Sequence, residues 1–434
     1  MTVFDRRTLL LRTGAALAAG GLGAFADLDE VAAAPRADAA VDWADVRRQF
    51  RLAPGWVHMA GLYLASHPES VRRAIARHHR GLDANPVHYL HDRGPELEAA
   101  VLRAAGAYLR VRPADIALTD STTMGLGLLY NGLELREGHE ALTTTHDFYA
   151  THEALRLKAA RTGATVRRVR LYREARRASA DEIVSSLVDA VGPRTRVIAL
   201  TWVHSSTGVK LPIARIARAL GERRREVLLC VDGVHGLGVE NAAMSGLECD
   251  FFVAGCHKWL FGPRGTGLVW AAPHAWARLA PTIPTFDGRA YFAWIEGREP
   301  TDTPPGPLNT PGGFHSFEHR WALTEAFAFH EELGGRGQVA ETTRALATRL
   351  KDGLADIGGV TVKTPASEEL SAGLVCAEAG GLAAPDVVDR LREEHRVVAS
   401  VTPYATQYVR FGPSIANAED DVDRALEAVA RVVA

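Results

Sequence analysis

The sequence predicts an α/β protein. A large domain with a mainly parallel β-sheet and helices on both faces precedes a small α+β domain. Short strand-like runs alternate with helical patterns over residues 69–270, and such alternation produces parallel strands linked by helical crossovers. Residues 281–315 then break the pattern with seven prolines and several glycines. A shorter mixture of strands and helices follows this break.

The elements of the large domain are predicted from the spacing of apolar residues. Helical spacing marks residues 69–80, 95–109, 123–133, 152–162, 180–191 and 211–224. Strands are expected at residues 116–119, 140–144, 165–169, 197–202, 227–231, 251–254 and 267–270. The proline-rich segment at residues 281–315 is interpreted as an active-site loop region or a domain hinge.

The C-terminal part repeats both kinds of pattern on a smaller scale. Helices are predicted at residues 320–333, 338–353, 384–394 and 418–432, and strands at residues 360–363, 372–377, 397–400 and 408–411. We therefore expect a large domain with an N-terminal segment at residues 41–315, and a small C-terminal domain at residues 316–434.

Residues 1–26 have the features of a twin-arginine (Tat) export signal. The pair Arg6 and Arg7 precedes an uncharged run rich in Ala, Gly and Leu, and the segment ends in Ala-Phe-Ala, a small-residue cleavage site. The run is shorter than the roughly 20 apolar residues of a membrane span, so no membrane anchor is expected. Residues 27–40 are then expected to be a linker, and the protein is expected to be periplasmic or secreted. A disordered alanine-rich leader with a chance arginine pair is the alternative.

The composition is that of an ordinary globular protein. The chain has 434 residues, of which 47% are hydrophobic and 24% are charged, and its formal net charge is −2. This charge gives no indication of nucleic-acid binding, and short arginine clusters are expected to be solvated helix ends. The four cysteines have a spacing that fits neither a disulfide framework nor a zinc site, so we expect core thiols and no metal: Cys230, Cys249, Cys256 and Cys376.

Asp232 and Lys258 are the first candidates for chemistry. Each follows a short apolar strand, and two neighbouring parallel strands would bring both side chains to the sheet edge where open α/β sheets bind ligands. A carboxylate and an amine held there suit pyridoxal 5′-phosphate (PLP). Its aldehyde forms a Schiff base with a lysine, and its ring nitrogen pairs with a carboxylate.

The scarcity of lysine narrows the choice of the Schiff-base residue. Only five of the 50 basic residues are lysines. Lys158, Lys210, Lys351 and Lys363 are interpreted as solvated, whereas Lys258 follows an apolar strand and precedes a glycine-rich turn at residues 262–267. Arginine cannot replace it, because a guanidinium stays protonated.

Polar residues at other strand ends complete a candidate site. Thr122 and Thr123 stand where a helix begins, which makes an anion site for a phosphate. N-capping by Ser121 or Thr122 is the alternative. Arg410 lies inside a short apolar strand and needs an anionic partner, either a structural carboxylate or the carboxylate of a substrate.

Three histidines are further candidates, each with a structural role as the alternative. His235, three residues after Asp232, is expected near the phenolic oxygen of PLP. His146 is expected to stack on the pyridine ring, with Phe148 and Tyr149 as rivals. His257, beside Lys258, either hydrogen-bonds the phosphate or is structural.

On these residues the chain resembles the class V aminotransferase family of fold-type I PLP enzymes, in particular its isopenicillin N epimerase-like and cysteine desulfurase-like branch. The resemblance runs from about residue 45 to the C-terminus. It is carried by Asn85-Pro-Val-His-Tyr-Leu, Ser121-Thr-Thr, Thr143-Thr-Thr-His146, Trp202-Val-His-Ser-Ser-Thr-Gly208, Val231-Asp-Gly-Val-His235, His257-Lys258 with Gly262-Pro-Arg-Gly, and Tyr408-Val-Arg410.

The resemblance implies roles for the matching positions. It assigns the phosphate to Thr122 and Thr123, ring stacking to His146, the ring nitrogen to Asp232, O3′ to His235, the Schiff base to Lys258 and the substrate carboxylate to Arg410. It also implies a homodimer with active sites at the subunit interface, where residues 312–316 reach the partner's phosphate.

Three departures from the family pattern matter. Desulfurases need a nucleophilic cysteine shortly before the position of Arg410, and this chain has none after Cys376, so sulfur abstraction is not expected. Ser205 replaces an asparagine near O3′, where it is predicted to contact the cofactor. Gly255 stands where a phosphate-binding serine is common.

The predicted function is that of a PLP-dependent enzyme acting at the α-carbon of an amino acid or of a peptide-borne amino group. Lys258, once displaced by the substrate amine, moves the α-proton as general base and acid. Transamination, epimerisation, β-elimination and oxidative decarboxylation all stay open. Export favours the tailoring of a secreted metabolite such as a siderophore precursor.

Two other classes of function are alternatives. One is a non-catalytic binding protein that kept the fold. The other is a Rossmann-type nucleotide enzyme, which needs a Gly-x-Gly-x-x-Gly after the first strand. The sequence lacks that motif.

Overall fold

The computed structural model describes residues 41–434, so the predicted export signal at residues 1–26 and the predicted linker at residues 27–40 lie outside the described residues. The described chain begins with helix α1 (Trp43–Arg48) and a two-residue strand, β1 (Val57–His58). Within residues 41–434, no helix combines the length and the apolar composition that a membrane crossing requires.

A seven-stranded sheet forms the centre of the large domain. Its strands are β2 (Ile116–Thr119), β3 (Glu140–Thr144), β4 (Thr165–Val169), β5 (Thr195–Thr201), β6 (Leu228–Asp232), β7 (Phe251–Gly255) and β8 (Gly267–Ala271). They lie in the order β2-β8-β7-β6-β5-β3-β4, and β8 runs antiparallel to both of its neighbours while the other pairs are parallel. The predicted α/β fold with a mainly parallel sheet is confirmed.

Helices cover both faces of this sheet. They are α2 (Glu69–Ala84), α3 (Pro86–Leu109), α4 (Thr122–Gly132), α5 (Tyr149–Thr162), α6 (Ala180–Ala190), α7 (Ile213–Leu220), α8 (Met244–Leu247) and α9 (Pro273–Trp276). In β5, Ile198 and Leu200 belong to one apolar core and Val197 and Ala199 to the other. A strand buried on both faces needs apolar residues at successive positions, which explains the continuous apolar runs in the sequence.

The two largest differences from the sequence prediction lie around Pro95 and in residues 281–315. Helix α3 begins at Pro86 instead of residue 95 and carries Pro95 in its interior. Proline lacks a backbone N–H donor and is favoured in the first turn of a helix. The sequence pattern therefore predicts that α3 begins at Pro95, later than its actual start. Residues 281–315 are not all loop, because they contain two short helices, α10 (Gly288–Ile295) and α11 (Pro305–Leu308).

The C-terminal part forms a second, smaller core. Helices α12 (Phe317–Glu332) and α13 (Gly335–Asp356) lead to strands β9 (Val360–Val362) and β10 (Val375–Ala379), helix α14 (Ala384–His395), strands β11 (Val397–Val398), β12 (Ser400–Val401) and β13 (Val409–Phe411), and helix α15 (Glu419–Val433). The small sheet is antiparallel in the order β12-β13-β10-β9, and buried apolar side chains of its strands pack on α13, α14 and α15.

The predicted domain boundary at residue 315 stays a prediction. Segments before and after this position contact each other in two places. Strand β1 of the N-terminal segment pairs in parallel with β11, with Val57 opposite Val397. Helix α12 packs mainly on α2 and α3 of the large domain. The N-terminal segment and α12 therefore join the two cores.

The carboxyl ends of β5, β6 and β7 lie side by side. Thr201 is the register partner of Asp232, and Asp232 is the register partner of Val253. The loops that follow these strands therefore emerge at one edge of the sheet, where the candidate residues collect.

Candidate active site

Asp232 and Lys258 lie at this edge of the sheet. Asp232 ends β6 and is buried, and its Oδ1 accepts a hydrogen bond from the backbone N–H of Val234 at 3.1 Å. Burial lowers the pKa of Lys258 below its ordinary range, and the charge of Asp232 opposes this shift. Burial likewise raises the pKa of Asp232, against the effects of Val234 and Lys258. A lysine with a lowered pKa loses its proton readily, as a nucleophile or base requires.

His235 joins this pair through its two ring nitrogens. Its Nε2 lies 3.3 Å from Nζ of Lys258, and its Nδ1 accepts a hydrogen bond from Nε1 of Trp259 at 3.3 Å. Burial and the charge of Lys258 hold the pKa of His235 well below its ordinary range, so the ring is neutral at neutral pH. Sequence reasoning missed Trp259, although its place beside Lys258 was a usable signal.

His146 lies in the loop after β3, and its imidazole ring is neutral at neutral pH. It stacks on Tyr172 with 4.6 Å between ring centroids and 13° between ring planes, and its Nδ1 lies 3.4 Å from Oγ of Ser206. Burial, assisted by the charge of His204, lowers the pKa of His146 to about 3. Its rival Tyr149 is 68% exposed, so His146 is the better placed of the two to stack on a buried ring.

Asp147, another residue that sequence reasoning missed, holds the loop that carries His146. This buried carboxylate accepts hydrogen bonds from Oγ1 of Thr143 at 2.7 Å, from the backbone N–H of Thr144 at 2.6 Å and from the backbone N–H of Thr201 at 2.6 Å. One side chain thus joins the ends of the neighbouring strands β3 and β5. Its position just after a strand was the available signal.

Thr122 and Thr123 open helix α4. Ser121 is the N-cap, since its Oγ accepts the backbone N–H of Met124 at 3.1 Å, so the capping alternative holds for Ser121 and not for Thr122. Oγ1 of Thr122 accepts the backbone N–H of Gly255 at 2.8 Å, which leaves its own O–H free to donate. Thr123 is exposed at the helix start. The positive end of the helix dipole suits an anion here.

Gly255 makes room for Thr122 and His257. A Cβ at position 255 would lie 2.9 Å from Cε1 of His257 and 3.0 Å from Oγ1 of Thr122. A serine therefore cannot occupy this position unless these neighbours move. Burial lowers the pKa of His257 to about 4, and the charge of Lys258 acts in the same direction.

Arg410 is buried at 4% exposure in strand β13. Its Nε donates to Oγ of Ser400 at 3.1 Å and its Nη1 donates to the backbone oxygen of Ser205 at 3.2 Å. Within residues 41–434, no carboxylate forms a salt bridge with this guanidinium. The alternative of a structural carboxylate partner therefore finds no support in the described chain, and N–H donors stay available for a bound anion.

Ser205 brings an unpredicted residue into the site. Its Oγ lies 2.8 Å from the hydroxyl oxygen of Tyr404, which belongs to the loop between β12 and β13. The rings of Tyr404 and Phe148 also form an edge-to-face contact, with 6.4 Å between their centroids. Tyr404 is 199 residues away from Ser205 in the sequence, and no motif marked it.

The interpretation of the other lysines as solvated is wrong for two of them. Lys351 is 4% exposed and donates to two backbone carbonyls and to Oγ of Ser371. The Lys210 side chain is 12% exposed and pairs with Glu240 at 2.9 Å. Lys351 lies in a charged helical stretch and Lys210 between Val209 and Leu211, and the partners of both come from other segments of the chain. The distinction of Lys258 is its position beside His235 and Asp232, not burial alone.

Together these groups fit PLP. An amine with a lowered pKa matches the aldehyde, a buried carboxylate matches the ring nitrogen, and a flat neutral imidazole matches the ring face. The start of α4 matches the phosphate, and a buried guanidinium matches the carboxylate of an amino-acid substrate. The individual roles of the residues stay predictions.

The fold and the site define a PLP-dependent α/β enzyme. The chain belongs to the aminotransferase class-V family, whose sequence profile matches residues 65–424. Members of this family are PLP-dependent enzymes, and the predicted family, cofactor and enzymatic character of the chain are confirmed.

Similar proteins come from two branches of this family. An isopenicillin N epimerase from Streptomyces clavuligerus is 28% identical over 400 residues, which cover 90% of this chain and 98% of that protein. An isopenicillin N epimerase from Amycolatopsis lactamdurans is 28% identical over 342 residues, covering 76% and 83% respectively. A probable cysteine desulfurase from Pseudomonas aeruginosa is 29% identical over 237 residues, covering 52% and 56%.

Solved structures show the same fold. The cystine C-S lyase C-DES in complex with cysteine persulfide has a TM-score of 0.78 and 22% sequence identity, covering 87% of this chain and 98% of its own. The cysteine desulfurase CsdA from Escherichia coli has a TM-score of 0.76 and 22% identity, covering 91% and 99%. The fold-type I architecture implied by the resemblance is confirmed.

Proposed function

We propose that this enzyme removes and returns the α-proton of an amino acid, either free or at the end of a peptide. The observation that carries the proposal is the neighbourhood of Lys258 and Arg410 around His235: Nε2 of His235 lies 3.3 Å from Nζ of Lys258, and burial and the charges of Lys258 and Arg410 all lower the pKa of His235. The charge of Arg410 contributes to the lowered pKa of Lys258, so a proton-accepting amine and a carboxylate-binding guanidinium lie within electrostatic reach of each other. An amino-acid substrate carries its α-proton and its carboxylate on the same carbon atom, so an amine and a guanidinium that serve one site suit it.

Each residue has a defined task in this scheme. Arg410 holds the substrate carboxylate, and Lys258 takes the α-proton from one face of the α-carbon. Inversion of the configuration then needs a proton delivered to the opposite face, by a second donor or by solvent. Asp232 holds a proton on the ring nitrogen, and His146 covers the ring face. Bound PLP supplies a ring that accepts the electron pair left on the α-carbon.

We further propose epimerisation as the reaction branch. Two observations support this choice. The relatives named isopenicillin N epimerase align over most of the chain, up to 98% of their own length. The chain has no cysteine after Cys376, and the loop before Arg410 brings the Tyr404 hydroxyl to the site, so the sulfur chemistry of a desulfurase lacks its nucleophile.

The experiment is an exchange assay in D₂O with a panel of L- and D-amino acids and short peptides. The PLP-loaded enzyme is expected to place deuterium on the α-carbon of its substrate and to interconvert the two configurations. Accumulation of pyridoxamine phosphate would mean transamination instead, and keto-acid release with loss of a β-substituent would mean elimination. Absence of α-deuterium with every compound, in an enzyme that binds PLP, would contradict proton movement.

We also propose export by the Tat pathway, on the evidence of the paired Arg6 and Arg7 and the uncharged run after them. A secreted amino-acid-derived metabolite, such as a siderophore precursor, is the kind of substrate that this location suits. The test is fractionation of cells producing the full chain. The wild type is expected outside the cytoplasm, and a variant with both arginines replaced by lysine is expected inside. Equal distribution of the two forms would contradict export.

The enzyme is further proposed to be a homodimer. Four large aromatic side chains of the segment 281–315 are exposed: Phe286 at 66% exposure, Tyr291 at 39%, Trp294 at 72% and Phe314 at 82%. Exposed apolar side chains concentrated in one segment favour a protein interface. Light scattering after gel filtration is expected to give the mass of two chains, and the double substitution Trp294→Asp with Phe314→Asp is expected to give one. A monomeric wild type would contradict the proposal.

A further inference from the structure

We propose that Trp259 is a positioning residue that fixes His235 in the tautomer with its proton on Nε2, and that the small domain holds Trp259 in place. The catalytic meaning of this inference rests on the proposed function. The tautomer itself is a property of the chain and can be measured without PLP.

The direction of the hydrogen bond follows from the chemistry of the indole ring. Indole has one polar hydrogen, on Nε1, and no acceptor nitrogen. Nε1 of Trp259 lies 3.3 Å from Nδ1 of His235, and both side chains are buried, so Nδ1 accepts this hydrogen bond. A neutral imidazole that accepts at Nδ1 carries its proton on Nε2. That nitrogen lies 3.3 Å from Nζ of Lys258.

The selected tautomer determines what His235 offers to the site. With the proton on Nε2, the ring donates a hydrogen bond towards Lys258, whose neutral amine or any anionic oxygen bound beside it can accept. The other tautomer would present a lone pair at Nε2, which favours a protonated lysine and repels an anionic oxygen. Trp259 therefore selects the form that suits a deprotonated Lys258 and the ionised phenolic oxygen predicted for PLP at this place.

Trp259 is held by parts of the chain that belong to the small domain. It is 3% exposed and packs with Leu374 and Cys376. A Cβ at Gly373 would lie 2.8 Å from Cη2 of Trp259, and a Cβ at Gly412 would lie 3.1 Å from the same atom. These two glycines, just before β10 and just after β13, let the indole ring approach closely. The position of the small domain against Trp259 therefore affects which ring nitrogen of His235 carries the proton.

The test is ¹⁵N NMR of histidine-labelled enzyme prepared without PLP, with the His235 signals assigned from their loss in His235→Asn. The wild type is expected to show a protonated Nε2 and an unprotonated Nδ1. Trp259→Phe keeps an aromatic ring but removes the donor, and its His235 signals are expected to move towards the other tautomer. Trp270→Phe is the matched control: Trp270 is buried, and within the described chain its Nε1 has no hydrogen-bond partner, so the His235 signals should not change.

Three outcomes would overturn the inference or a part of it. A wild-type His235 with its proton on Nδ1 overturns it without any variant. Unchanged His235 signals in Trp259→Phe overturn the role of the indole. Gly373→Ala should displace the ring and shift the signals in the same direction, and unchanged signals there overturn the link to the small domain.

Activity gives a second readout, which separates this inference from the proposed function. In the PLP-loaded enzyme, Trp259→Phe is expected to lower kcat at least about tenfold with little change in KM, because His235 is no longer held in the tautomer that donates from Nε2 to an ionised oxygen. Trp270→Phe should keep kcat, and equal losses in the two variants would overturn a specific role of Trp259. If the wild type fails to bind PLP, the proposed function fails while the tautomer result stands.

Discussion

Nη1 of Arg410 donates a hydrogen bond to the backbone oxygen of Ser205 at 3.2 Å, which connects strand β13 of the small domain to the loop after β5 of the large domain. A second bond, from Nε to Oγ of Ser400, fixes the plane of the guanidinium. Because a buried charge needs an opposite charge or several hydrogen bonds, the remaining donors favour an anionic ligand. A substrate carboxylate would complete the site and bring the two domains together on one molecule.

Replacing Arg410 with lysine tests this role of the guanidinium. Lysine keeps the charge but loses the planar pair of donors that matches a carboxylate. We expect KM for the amino-acid substrate to rise about 10- to 100-fold, with a much smaller change in kcat, as measured by steady-state kinetics. Arg349→Lys is the control, since Arg349 pairs with Asp423 on the surface of the small domain. An unchanged KM in Arg410→Lys would show that the carboxylate is held elsewhere.

Replacing Gly255 with serine tests the space shared by Thr122 and His257. The added Cβ would lie within 3.0 Å of both side chains, so one of them must move away from the start of α4. We expect the affinity for PLP to fall about tenfold, measured by titration of the apoenzyme, because a good hydrogen bond to the phosphate is lost.

The control for this substitution is Gly246→Ser, because a Cβ at Gly246 has no heavy atom within 4 Å. It should bind PLP like the wild type. Equal or tighter binding by Gly255→Ser would mean that the phosphate lies away from Thr122 and His257, or that the serine itself contacts the phosphate.

Buried histidines predict a loss of stability in acid. Burial lowers the pKa of His330 to about 4 and that of His204 to about 3, from the ordinary 6.5. The unfolded chain therefore takes up these protons first, and stability is lost as the pH falls from about 6.5 towards the folded-state pKa values. We expect the free energy of unfolding from denaturant titrations to fall between pH 7 and pH 5. Each such histidine contributes about 1.4 kcal/mol per pH unit below 6.5.

The variant His330→Gln checks the origin of this pH dependence. Glutamine does not titrate, so the variant should lose the contribution of one histidine to the slope of stability against pH, even if its stability at pH 7 is lower. A slope equal to that of the wild type would assign the effect to other groups. A wild-type stability that stays constant between pH 7 and pH 5 would contradict the burial argument altogether.

Local patterns were sufficient to predict most of the fold. The strands at residues 116–119, 140–144 and 165–169 have the predicted bounds. Each is a short strand-like segment, and polar residues or turns at its ends mark where it begins and ends. The start of α3 and the short helices of residues 281–315 were missed, because proline disfavours a helix interior in general while tertiary contacts decide in the particular case.

The site was predictable where residues follow strands and unpredictable where distant segments meet. Asp232 and Lys258 stand at strand ends, and their meeting follows from the geometry of parallel strands. Tyr404 reaches Ser205 from a loop of the small domain, and Lys351 is buried by partners in another loop. Such contacts depend on how the small domain sits on the large one, and this arrangement leaves no local pattern in the sequence.

The most direct test of the central claim is the location of the covalent bond to PLP. The enzyme is incubated with PLP, reduced with borohydride and digested, and the modified lysine is identified by mass spectrometry. We predict a single adduct on Lys258, absent in Lys258→Ala, while Lys363→Ala keeps it. An adduct on Lys158, Lys210, Lys351 or Lys363, or no adduct in the wild type, would contradict the account.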